Sequence, residues 1–317
     1  MTGLLVFAAA VGIVVAGVFL VVTRWTGNRT SPYTYDVSKF TKATNAPGYF
    51  LATRLKLDNT RPAAIAVDTN GTMFVAGELL ETFSPKGTQM ASWPLPAQAT
   101  CLAVAPHGDF YVGMSEHVVV LDPTGGLKQV WASRGTNAIF TSIALCGTDV
   151  YVADAGNHVV LRYSANGVAE CEIGRKDTAK GIPGFVIPSA YFDVAIGLDN
   201  SLWVANPGMH QLEKYSRDGE LRTSWRRVGI GVDGFCGCCN PAHFALVQNG
   251  CFVTAEKAVP RVKISSPTGD FICLVAGPDA FSEDAVGLDL AVDPGQRILV
   301  LDPAERFLRI YEPHPAP

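Results

Sequence analysis

Residues 63–78 read AAIAVDTNGTMFVAGE. Two apolar runs of strand length flank Asp-Thr-Asn-Gly, which supplies a side-chain acceptor and a glycine for a tight turn. The stretch predicts a β-hairpin, and the chain repeats it. The first runs are AAIAVD (63–68), TCLAVA (100–105), TSIALC (141–146), YFDVAI (191–196), AHFALV (242–247) and DLAVD (289–293). The matching second runs are MFVAGE (73–78), FYVGM (110–114), VYVADA (150–155), LWVANP (202–207), CFVTAE (251–256) and ILVLDP (298–303). A third strand then leads to a turn of one kind: SPKG, DPTG, SANG, SRDG and SPTG, ending at Gly87, Gly125, Gly167, Gly219 and Gly269.

Aligned on Ala66, Ala103, Ala144, Ala195, Ala245 and Ala291, the units are spaced by 37, 41, 51, 50 and 46 residues. A period of about 40–50 with four short strands per unit is the pattern of a propeller blade. One such sheet cannot bury both faces alone, whereas sheets packed radially cover one another and must close into a ring. The sixth unit ends soon after Ile310-Tyr311 and lacks a fourth strand, while the run YFLATRLKL at 49–57 precedes the first unit and can supply it. The expectation is an all-β, six-bladed β-propeller over residues 49–317 with a 3+1 closing blade.

The composition agrees. Of 317 residues 48% are hydrophobic and 17% charged, which excludes a disordered chain. The 31 Gly and 20 Pro suit many short strands and turns. A formal net charge of −4 with no long basic run argues against a nucleic-acid partner.

Residues 3–22, GLLVFAAAVGIVVAGVFLVV, carry no charge. At about 1.5 Å per residue they reach about 30 Å, the hydrocarbon thickness of a bilayer. Trp25 follows at an interfacial position. No Lys or Arg precedes the run and no small-residue cleavage site follows it, which favours a retained anchor over a cleaved signal peptide. Residues 1–25 are thus expected to be a transmembrane anchor, and 26–48 a polar linker. The chain then belongs to the cell membrane as a single-pass protein. Arg24 and Arg29 would, by the positive-inside rule, keep the large domain in the cytoplasm. Single-anchor propellers commonly face outward, and an extracytoplasmic propeller is the expectation adopted.

Residues 234–246, GFCGCCNPAHFAL, hold three of the eight cysteines within four positions. Thiols packed this closely oxidise or bind metal unless something controls them. Three readings stand open. Cys236, Cys238 and Cys239 could ligate a metal ion or iron–sulfur cluster, with His243 or Cys251 as a fourth ligand, although Cys-x-Cys-Cys is not a common zinc spacing. They could form a structural or redox-active disulfide, for instance Cys236 with Cys239 or one of them with Cys251, with Lys257 or Arg261 favouring a thiolate. Or they could be buried in a tight turn built by Asn240-Pro241. His243 reads better as a packed strand residue than as a ligand, and Glu256-Lys257 as a salt-bridged loop. The scattered cysteines Cys101, Cys146, Cys171, Cys251 and Cys273 read as buried, inert thiols.

Pro-x-x-Ile-Ala-Val-Asp at Pro62 and Val-Ala-Asp-Ala-Gly-Asn-His at Val152 resemble NHL-type repeats, and the resemblance covers residues 49–313. CGCCNPAHFAL followed by TAEKAVPRVKI resembles a subset of bacterial membrane-anchored NHL propellers. Strand alternation in such a fold puts the loop leading into each first strand on one face with the connection between second and third strands. The thiols would then share a mouth with Glu78, Asp154, Asn206, Glu256, Lys257, Arg261 and Asp302. The leading expectation is a membrane-tethered accessory propeller for binding or electron transfer, with a protein partner and a metal, iron–sulfur or redox site at the thiols. Some six-bladed propellers hydrolyse lactones or phosphoesters around one calcium ion, and Glu78, Asn206, Glu256 and Asp302 are residue types suited to it. A pure interaction scaffold with structural cysteines is the remaining alternative.

Overall fold

The second runs of the repeats fold into strands buried from end to end, such as Met73–Ala76, Leu202–Asn206 and Phe252–Glu256. Burial on both faces is what a strand sandwiched between two neighbouring sheets experiences. The computed structural model describes residues 48–179, 181–282 and 284–315. They form six four-stranded antiparallel sheets. The innermost strands are Ala64–Val67, Cys101–Val104, Phe140–Cys146, Val194–Ile196, His243–Leu246 and Asp289–Val292. Each of these packs on the next, and the last packs on the first, so the ring is closed around an axis. Blades I to VI below follow that order.

Blade VI has the expected 3+1 composition. Tyr49–Lys56 pairs antiparallel with Phe307–Pro313, from Tyr49 opposite Pro313 to Lys56 opposite Phe307, with one irregularity between Leu51 and Thr53. This ties the beginning of the propeller to its end. The core divides into six clusters, one at each blade interface.

The repeated turns explain part of that packing. Gly125, at φ +83°, lies under Trp93 of the preceding blade's outer strand, and Gly269, at φ +86°, lies under Trp225. A Cβ at Gly125 would stand 2.6 Å from the Trp93 ring, and one at Gly269 2.4 Å from the Trp225 ring. Glycine is required there both for the left-handed backbone and for the indole.

The expected anchor and nearly all of the expected linker lie outside the described residues. Among the described residues no helix is long and apolar enough to cross a membrane.

Candidate functional site

The thiol turn leads into the innermost strand of blade V, and its neighbours hold it on every side. The Asn240–Pro241 peptide is cis. Asn240 is buried, at 1% exposure. Its Nδ2 donates to the Cys236 carbonyl at 2.5 Å, closing the turn, and to the Lys257 carbonyl at 3.0 Å. Its Oδ1 accepts the Lys257 N–H at 2.9 Å. The amide therefore fastens the turn to the connection between the second and third strands of its own blade. His210 Nε2, from blade IV, lies 2.6 Å from the Gly237 carbonyl.

A buried ion cluster holds the loop that precedes the turn. Arg261 Nε and Nη2 donate to Glu256 at 2.6 and 2.9 Å, and Lys263 Nζ lies 2.9 Å from Glu256 Oε1. These three side chains are 0–1% exposed. Arg261 also donates to the carbonyls of Gly231 and Gly234, at 2.9 Å each, and Lys263 to that of Val232 at 3.0 Å. The surplus cation is spread over backbone dipoles of residues 231–234. Phe235 packs beneath Lys263, 4.4 Å from its ammonium. Glu256 thus pairs with Arg261 and Lys263, not with Lys257 as the sequence suggests, because alternate residues of the third strand reach it from across the ladder.

Lys257 turns the other way. Its Nζ donates to Ser189 Oγ at 2.8 Å and lies 4.5 Å from the centre of the Tyr191 ring, both in the lead-in loop of blade IV. Cys239 sits in this corner with 1% exposure. Burial pushes its thiol up, but hydrogen bonds with Ser189, Cys238 and Lys257, and the Lys257 charge, outweigh burial and hold Cys239 below the ordinary cysteine value. Cys238 is exposed, and its sulfur stands 3.1 Å from that of Cys239. Contact with Cys239 raises Cys238. Cys236 is half-buried, and burial first, then Glu256, raise it against the pull of Arg261 and Lys263. The three thiols therefore differ: one thiolate-prone, one exposed partner, one protonated neighbour facing the ion cluster.

This geometry does not assemble the metal-ligand set expected from sequence. Cys251 is buried at the far end of the Phe252–Glu256 strand, about 15 Å of extended backbone from the thiol turn. His243 points away from the sulfurs, with Nδ1 3.2 Å from Asp289 and 3.6 Å from Asp193. Among the described residues no three His, Cys, Asp or Glu side chains form a group that could hold a metal ion. All eight cysteines are free thiols. Of the scattered five, Cys101 and Cys251 are buried as expected, while Cys146, Cys171 and Cys273 are half-buried.

The calcium set, Glu78, Asn206, Glu256 and Asp302, is dispersed as well, and so is Asp154 of the expected mouth. Glu78 is an exposed partner of Thr60 and Arg61. Asp154 is fully buried and caps its own loop, accepting the N–H groups of Ile139, Gly156 and Asn157. Asn206 accepts Val186 N–H at 2.9 Å and donates to Glu213 at 2.8 Å. Asp302 pairs with Arg309 at 2.9 Å. Calcium needs about six to eight converging oxygens, and these side chains each serve the blade that carries them.

The carboxylates that do reach the axis are Asp193 and Asp289. Two residues before each aligned alanine stand Ala64, Cys101, Ser142, Asp193, His243 and Asp289, one per blade. Three of them clasp the next blade: Ser142 accepts Val194 N–H at 3.2 Å, Asp193 accepts Phe244 N–H at 2.7 Å and Asp289 accepts Ile65 N–H at 2.8 Å. Their signal was in the repeats, where an acid interrupts an otherwise apolar strand at one fixed column.

No protein-family model matches the chain, and a search of curated proteins finds no relative. Solved structures share its fold. A streptogramin B lyase aligns with a TM-score of 0.57 at 11% identity, covering 84% of this chain and 98% of that one. Virginiamycin B lyase from Staphylococcus aureus aligns with a TM-score of 0.54 at 15% identity, covering 84% and 89%. A protein of unknown function from Bacteroides caccae aligns with a TM-score of 0.52 at 12% identity, covering 70% and 84%. At these identities the likeness is one of fold.

Proposed function

We propose that this propeller is a redox protein of the thiol–disulfide type, working through Cys239 and Cys238 at one mouth of the ring. On this reading residues 3–22 tether it to a membrane, with the propeller outside the cytoplasm, and its partner is a protein bearing an accessible disulfide. The resemblance to NHL repeats and to membrane-anchored propellers with the same thiol turn belongs to the same proposal. The observation that carries it is the contrast between the two adjacent thiols. Cys239 is enclosed by Ser189 and the Lys257 ammonium and held below its ordinary value, while exposed Cys238 stands 3.1 Å away.

The chemistry follows from that contrast. Cys238, the exposed sulfur, passes its proton to the Cys239 thiolate 3.1 Å away and attacks one sulfur of the partner's disulfide, and the other sulfur leaves as thiolate and takes up that proton. Cys239, again a thiolate, attacks the Cys238 sulfur of the mixed disulfide, releasing the partner's second thiolate. The partner gains two electrons and the Cys238–Cys239 pair loses them. An exposed attacking thiol beside an enclosed, lower-pKa thiolate is the arrangement this exchange needs. Asn240 and the Glu256–Arg261–Lys263 cluster act as positioning residues, since they fix the turn without touching the sulfurs.

The test is equilibration of the full chain in mixtures of reduced and oxidised glutathione, followed by alkylation and peptide mass analysis. The peptide carrying both cysteines should become two hydrogens lighter, reversibly, and should still do so in Cys236→Ser. Free Cys238 and Cys239 across every mixture, or pairing that disappears in Cys236→Ser, would refute the reading.

A further inference from the structure

The axis holds a second polar site that the thiol chemistry does not use. A cavity of about 380 Å³ runs along it, lined by Asp193, Asp289, Ser142, Thr141 and small alanines, with no Lys or Arg in its wall. Val67, Ile196, Leu246 and Val292 line both this cavity and a depression bordered by Leu198, Gln248 and Pro294. The channel thus opens on the face away from the thiol turn.

Its charges do not balance. Asp193 and Asp289 face one imidazole, that of His243. When all three are ionised one negative charge has no partner, and buried charge persists only when compensated. His243 Nδ1 is enclosed and within ion-pair reach of both carboxylates, yet aligned for a hydrogen bond with neither. Each carboxylate oxygen accepts one strand N–H: Val194 and Phe244 for Asp193, Leu290 and Ile65 for Asp289. An ionised carboxylate offers about four acceptor directions, so each oxygen keeps one in reserve.

We propose that the axial channel binds a small primary amine in its ammonium form, the head seated between Asp193, Ser142 and Asp289 and the alkyl part lying along Ala144, Ala195 and Ala245. A metal ion suits the site less well. Its ligands would have to converge on one point, and the oxygens are already committed to strands on different blades. An ammonium uses its N–H donors one at a time, and the channel has room for a chain behind it. Asp289, pushed up to about 6 by burial against the opposing pull of His243, is the group whose proton the amine would displace. Binding should therefore tighten as pH rises through that value, with Asp193 and His243 the other charged groups facing it and the Cys101 thiol the remaining titratable one.

Calorimetric titration of the full chain with butylammonium at neutral pH tests this, with tetramethylammonium and calcium as competitors. One saturable site is expected, weakened at least about tenfold in Asp193→Asn and severalfold in Ser142→Ala, and unchanged in Cys238→Ser/Cys239→Ser. Tetramethylammonium, which has the charge but no N–H, should not compete. No saturable binding, equal binding by Ser142→Ala and Asp193→Asn, or displacement by tetramethylammonium or calcium would overturn it. The thiol variants keep the two proposals separable, because loss of the redox reading leaves this site intact.

Discussion

Asn240 holds the main chain of Lys257 at both ends, its Oδ1 accepting the N–H at 2.9 Å and its Nδ2 donating to the carbonyl at 3.0 Å. The same side chain closes the thiol turn through the Cys236 carbonyl. Asn240→Ala leaves three half-buried backbone groups without their partner, and such groups cost up to about 1–3 kcal/mol each before relaxation and solvation. A loss of about 2–4 kcal/mol in urea unfolding is expected. Asn240→Asp keeps the acceptor but sets a buried carboxylate oxygen against two carbonyl oxygens, so it should cost at least as much as Asn240→Ala.

Glu256 is the only anion of the buried ion cluster, facing Arg261 and Lys263. Glu256→Gln leaves two cations enclosed without a countercharge. Breaking a buried pair in this way costs about 3–5 kcal/mol. Lys263→Met should cost less, because Arg261 keeps its bidentate contact with Glu256. Denaturant midpoints of the two variants check the order.

Lys257 donates to Ser189 and holds Cys239 low. Ser189 and Cys238 hold Cys239 low together with Lys257, and Lys257→Met removes one hydrogen bond and the charge, so the thiol should rise. The rate of Cys239 alkylation at neutral pH should drop severalfold, as expected for a smaller thiolate fraction. Alkylation of Cys251, a strand's length away, should not change.

The His243–Asp289 pair sets a pH dependence whose sign is fixed by both shifts. Burial alone would lower His243, but the charges of Asp289 and Asp193 carry it to about 9, and burial carries Asp289 to about 6. Both lie above their unfolded values. The His243 contribution to stability is therefore complete below about 6.5 and lost as pH rises through about 9. Asp289 adds a loss in the same direction at lower pH. Wild type should lose up to about 3 kcal/mol more than His243→Gln between about pH 6.5 and 9, measured by urea unfolding across that range.

The sequence carried the fold because every blade repeats a doubly buried hairpin and five of the six add a Gly turn that a tryptophan or aliphatic side chain covers. It also carried the location of the thiols, since Cys236 to Cys239 lie in a loop that only one end of a blade can present. It did not carry their partners. Ser189, Tyr191 and Lys257 come from two blades, and only the ring brings them to Cys239. Cys251 is near the cluster in sequence, yet a five-residue strand carries it to the opposite end. The acids of the loops are caps and ion-pair partners, each within its own blade. The acids at the axis, Asp193 and Asp289, sit within strands, where period-two patterning draws attention to the apolar neighbours.

The central claim is that Cys239 is the stabilised thiolate of the pair, and the pH profile of its alkylation rate tests that most directly. With Cys236 and Cys238 replaced by serine in the full chain, the account predicts a titration midpoint below the value of about 8.5 for a free cysteine, moving upward in Lys257→Met. A midpoint at or above that value, unmoved by Lys257→Met, would contradict it.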